Sequence, residues 1–119
     1  MREGFAHDAV LSMGPDADLR APGAAITVGL CGHWEHEPPC PVAPHHSNAE
    51  RAGEQVRVRV LFAAAPEHES AVRALIDEAL SHGALQGPDG TTTAWQLLSS
   101  RPGVVRDQER AHLGRLARS

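Results

Sequence analysis

The chain contains no lysine and no tyrosine, and only 3% of its 119 residues are aromatic. Each scarcity excludes something. Without aromatics, the core has to be assembled from Leu, Val, Ile and Ala, which bury less area per side chain. All 11 basic residues are arginine and the formal net charge is −4. With no basic block there is no positive footprint for general nucleic-acid binding. The abundance of Ala, Gly, Pro and Arg reads as genome composition, so the missing lysine carries no functional meaning of its own. No apolar run approaches the ~18 residues of a membrane-spanning helix. Asp8, Asp16 and Asp18 interrupt the apolar residues near the N-terminus, where a secretory signal would need an unbroken run. The expectation is a cytoplasmic protein, with no membrane or nucleic-acid partner. Its two cysteines, Cys31 and Cys40, are then expected as thiols or ligands and not as a disulfide.

What is present divides unevenly along the chain. Residues 1–22 hold Gly4, Gly14, Pro15, Asp16, Asp18 and Pro22 without sustained periodicity, and read as a flexible N-terminal arm. Residues 23–119 read as a single α+β domain, since the length allows one domain and no more. Within it, Ala24–Leu30 is a short run containing Ile26, Thr27 and Val28, and is expected as a first strand. From Gly32 to about Gly53 the prolines 38, 39, 41 and 44 forbid a helix or a central strand. Such a long loop inside a compact domain is uncommon without a function.

The pattern sharpens after this loop. Val56, Val58 and Val60 alternate with Arg57 and Arg59, which predicts a strand over 55–62 with one apolar and one charged face. The two arginines are expected to be solvated. Leu61 and Phe62 make the end of that strand apolar on both faces. Pro66 and Glu67 open a helix whose stripe is Ala71, Val72, Leu75, Ile76, Ala79 and Leu80, with Gly83 as its stop. A strand over Thr91–Leu98 places Trp95 in the core, a break follows at 99–103, and a last helix is expected within 104–117. His68 and His112 read as ordinary surface histidines of helices. The fold expected from these elements is a small two-layer α+β sandwich in the order β–loop–β–α–β–α. Its mixed sheet has three strands with helices on one face, the last strand lies parallel to the second through a right-handed crossover, and the long His/Cys-rich loop follows the first strand. Exposed edges on so small a sheet allow a homodimer.

The chemistry concentrates in the 31–46 loop. It reads Cys31-Gly-His33-Trp34-Glu35-His36-Glu37-Pro-Pro-Cys40-Pro-Val-Ala-Pro-His45-His46, and holds both cysteines and half of the eight histidines. An even spread would put roughly one histidine in such a window. Thiolate and imidazole together are the donors that tetrahedral zinc prefers. Cys31 and His33, two apart, point the same way from an extended strand end. The Pro38-Pro39 pair stiffens the return to Cys40, which lowers the entropy lost on ordering the loop. The expected ligands are Cys31, His33, Cys40 and one of His45 and His46, with His46 slightly preferred and His36 in reserve. Glu35 and Glu37 would orient imidazoles from outside the coordination sphere.

The spacing matches no standard zinc motif. His33-Trp34-Glu35 has the H-x-E form of zinc deaminases, but Ala43 stands where the partner motif needs its second cysteine. His36-Glu37 begins an H-E-x-x-H motif whose fifth residue is Cys40, and the intervening prolines forbid its helix. Three functions remain open. The preferred one is a structural site, with Zn²⁺ as cofactor, whose loop presents a surface to another protein. The second is a carrier or sensor of copper, nickel or zinc. The third is an enzyme, either zinc-dependent with Glu35 or Glu37 as base or with Cys31 or Cys40 as a nucleophile activated by His33 or His36.

Overall fold

The computed structural model describes residues 2–31 and 43–118, with the backbone alone for Cys31. Eight elements order it: β1 (Glu3–Met13), α1 (Ala21–Cys31), β2 (His45–Ala52), β3 (Gln55–Ala64), α2 (Glu69–Ser81), β4 (Ala84–Gln86), β5 (Thr92–Gly103) and α3 (Arg110–Ala117). The strands form one five-stranded sheet in the order β2-β3-β1-β5-β4, and every pairing is antiparallel.

This corrects the expected three-stranded mixed sheet. The class, α+β, stands. The last long strand, β5, does run in the same direction as β3, but β1 lies between them and pairs with both. The insertion of a strand between the two members of each crossover gives the split β-α-β arrangement of a ferredoxin-like topology, with the short β4 added at the edge beside β5.

The strand that splits the crossover comes from the segment expected to be a flexible arm. β1 alternates Phe5, His7, Ala9, Leu11 and Met13 on one face with Gly4, Ala6, Asp8, Val10 and Ser12 on the other. His7 interrupts the apolar face and Ala6 is buried on the opposite one, so the period of two is blurred. The segment expected as the first strand is α1. Ala21, Pro22, Ala25, Ile26 and Leu30 are its buried side chains, adjacent pairs recurring every four residues along one helical face. That stripe begins before residue 24, and Pro22 sits in the first turn, where a missing N–H costs nothing. Tertiary burial overrides the β preference of Ile26, Thr27 and Val28.

The strand expected over 55–62 is β3, and the stripe of α2 is as expected, with Val72, Ile76 and Leu80 buried. Gly83 ends α2 at φ +76°, a left-handed conformation that favours glycine. Trp95 is in the core and its indole N–H donates to the Leu80 carbonyl at 2.9 Å. β5 runs on through the expected break at 99–103, with a register shift opposite Val10 and Leu11. Such a shift lets a strand bend and continue, which removes the need to stop.

Helices lie on both faces, not on one. α1 and α2 cover the main core of Leu11, Ile26, Leu30, Val56, Val58, Val60, Phe62, Val72, Ile76 and Leu80. α3 crosses the other face, where Leu113 packs on Ala6 and Leu61. The two-faced apolar end of β3 is explained by this division, with Phe62 in one cluster and Leu61 in the other.

Candidate functional site

The six expected ligands fall in three places. Cys31 is the last residue of α1, and His45 and His46 open β2. His33, His36 and Cys40, together with Trp34, Glu35 and Glu37, lie outside the described residues. The first strand of the sequence reading would have carried Cys31 on an extended end; Cys31 instead closes a helix, so the same-side argument for Cys31 and His33 no longer applies.

Strand alternation separates the two closing histidines. His45 turns toward α1, where its Nε2 lies 3.0 Å from the Thr27 hydroxyl. Its Nδ1 lies 3.1 Å from the Ala43 carbonyl. A carbonyl only accepts, so Nδ1 carries the proton and Nε2 keeps its lone pair. Burial pushes the His45 pKa below the ordinary imidazole value, which keeps the ring neutral. Thr27 stands one helical turn before Cys31. His46 leaves the opposite face, exposed, with its ring centroid 4.9 Å from that of His112 on α3. Among the described residues no three His, Cys, Asp or Glu side chains come together as a ready metal cage.

The residues that sequence reading passed over form a polar network under α2. His7 is 2% exposed. Its Nδ1 lies 3.0 Å from the Arg73 guanidinium and its Nε2 2.7 Å from the Ser100 hydroxyl. Arg73 can only donate, so Nδ1 accepts, Nε2 carries the proton and donates to Ser100, and Ser100 donates to Asp77. Burial, reinforced by the Arg73 charge, lowers the His7 pKa against the opposing pull of Asp77. Arg73 also donates to the Ala6 carbonyl, pairs with Glu69, and lies over the Phe62 ring at 5.3 Å.

Serine, histidine and aspartate in contact invite comparison with a hydrolase triad, but the proton polarity is reversed. Catalysis requires the imidazole to accept the serine proton while a carboxylate holds its other nitrogen. Here the imidazole gives its proton to serine and an arginine holds the other nitrogen. The network joins β1, α2 and β5 and is a structural tie.

Arg59, expected to be solvated, is instead tied on both sides. It makes two bonds to Glu109 at 2.7 Å and one to Asp8 at 2.8 Å, which consume its charge. Grooves flank α1, one of about 550 Å³ along Arg20, Ala24, Pro88 and Thr93. Another of about 430 Å³ runs between α1, α2 and β4, walled by Val28, Leu75, Ala79 and Leu85. Glu78 and His82 also line the second groove, and among the described residues no serine or cysteine lines either one.

Set against protein-family models, curated proteins and solved structures, the chain matches none. The function must therefore be argued from its own residues. Of those, His45, held between the Ala43 carbonyl and the Thr27 hydroxyl of α1, is the side chain with chemistry in reserve. The signal that would have ranked His45 over His46 was the strand itself: once 45–52 is extended, one histidine must face α1 and the other must not.

Proposed function

We propose that the chain is a small metal-binding protein, with zinc as its ion, in which Cys31, His33, Cys40 and His45 form a structural site and the loop they hold presents a surface to a protein partner. His36 is the reserve donor. The observation that carries this reading is the pair of contacts His45 makes, Nδ1 with the Ala43 carbonyl at 3.1 Å and Nε2 with the Thr27 hydroxyl at 3.0 Å. A metal-ligating imidazole characteristically gives its far N–H to a backbone carbonyl, which fixes the tautomer and aims the other nitrogen's lone pair at the ion. His45 does this through Ala43, and its lone-pair nitrogen faces Thr27 of α1, four residues before Cys31 in the sequence. On binding, zinc would replace the Thr27 hydroxyl at Nε2. The Thr27 hydroxyl has an alternative acceptor ready, the Gly23 carbonyl at 3.1 Å.

The test is elemental analysis of protein purified without a tag or added metal, alongside Cys31→Ser, Cys40→Ser and His45→Gln. The expected result is about one equivalent of zinc per chain, lost in each variant together with cooperative unfolding. Metal-free wild-type protein with a sharp unfolding transition overturns the reading. Substoichiometric, mixed metal whose removal leaves the fold intact replaces the structural site with a carrier.

A further inference from the structure

The imidazoles of His46 and His112 meet on the face of the sheet away from α1. Their ring centroids are 4.9 Å apart and the planes are inclined at 54°. Two imidazoles that bind one tetrahedral ion through single nitrogens at ~2.0–2.1 Å have their ring centres roughly 5 Å apart. The observed spacing matches that separation.

The supports of the two rings are fixed independently. His46 lies directly opposite Leu61 in the β2–β3 ladder. α3 is seated by Leu113 on Ala6 and Leu61, and its N-terminal approach is held by Glu109 on Arg59. A pair projecting from elements held in this way loses little freedom when an ion joins it, which favours chelation. His46 is exposed and His112 half-buried, so an ion reaches them from solvent. Among the described residues, neither ring makes a hydrogen bond to another group.

We propose that His46 and His112 form a two-histidine binding site for a borderline divalent cation (Zn²⁺, Ni²⁺ or Cu²⁺) that bridges β2 and α3. Imidazole nitrogen selects these ions over Mg²⁺ and Ca²⁺, which take oxygen donors. Two protein ligands leave the other coordination positions to water. The bound ion fastens the C-terminal helix to an edge strand. This site shares no residue with the ligand set proposed above and stands or falls separately.

The experiment is a Ni²⁺ titration of the full chain, carrying whatever zinc it purifies with, followed by calorimetry and by amide hydrogen exchange. Wild-type protein, His46→Gln, His112→Gln and a control, His68→Gln, are compared. Both members of the pair are at least partly solvent-exposed, and glutamine is tolerated in strand and helix, so the variants fold. The expected result is Ni²⁺ binding that weakens about 100-fold in either His46→Gln or His112→Gln, as for loss of one arm of a chelate, and is unchanged in His68→Gln. Exchange in Arg110–Ala117 slows on Ni²⁺ addition in the wild type and not in the two variants. Equal affinity in wild type and His112→Gln overturns the proposal, and so does binding that leaves exchange in α3 unchanged. Failure of the zinc site proposed above shows elsewhere, as zinc retained in Cys31→Ser.

Discussion

His7 shows how much a single buried polar side chain organises here. It is enclosed by β1, α2 and β5, and an unbroken chain of polar contacts runs from Arg73 through His7 and Ser100 to Asp77. Removing the imidazole leaves a cavity, strands one guanidinium N–H and takes away the Ser100 donor. The cavity and the stranded N–H weigh most, since a buried donor without an acceptor costs ~1–3 kcal/mol and a large-to-small change in a core costs a similar amount again. His7→Ala is expected to lower stability by about 3 kcal/mol, seen as a lower urea midpoint with unchanged m-value. A midpoint within experimental error of the wild type would show that the network contributes nothing net. At this scale the sequence was legible where one face decided a residue's fate, as for Val56, Val58, Val60 and Trp95. It was not legible for His7, a polar residue on an apolar face, because the arginine, serine and aspartate that satisfy it lie 66 to 93 positions away in sequence.

At the scale of elements, the misread pieces share a cause. β1 is covered on both faces, so its alternation of apolar and polar residues is weakened by Ala6 and His7, and a central strand read as an arm. α1 has a run of β-branched residues but a helical burial stripe whose beginning lay across the assumed arm boundary. By contrast α2 shows one face to the core and one to solvent, and its periodicity was complete. The junction of β1 with α3 offers a direct check of the second face. A Cβ on Gly4 would lie 2.8 Å from the Cβ of Leu113, closer than carbon atoms tolerate. Leu113 is itself held against Ala6 and Leu61, so α3 must lift for the methyl group to fit. Gly4→Ala is expected to cost ~1–3 kcal/mol, the range for overpacking, and to raise amide exchange across Arg110–Ala117 while α2 stays protected. Uniform loss of protection in both helices would mean that α3 is not a separable layer.

For the whole molecule, the polar ties on the two faces of the sheet set a response to acid in two stages. His7 has its folded pKa lowered from 6.5 by burial. The unfolded chain therefore takes up this proton first as pH falls, and the stabilisation is complete above about pH 6.5 and declines below it. Glu109 is held down to about 2 from an ordinary 4.5, chiefly by its bonds to Arg59. Its contribution is complete above pH 4.5 and is lost as pH falls through 2, because protonation then breaks the carboxylate bonds that fix α3 to the sheet. Both groups make stability fall with falling pH, but in separate windows. Each adds a slope of at most about 1.4 kcal/mol per pH unit where its two states differ. Urea unfolding at a series of pH values is expected to show a plateau above pH 6.5, a first decline below it and a second under pH 4.5. Glu109→Gln should flatten the second decline and leave the first in place, since His7 lies on the opposite face beneath α2. Stability that rises between pH 6.5 and 4.5 would contradict the neutral, buried state of His7 on which the proton order of its network depends.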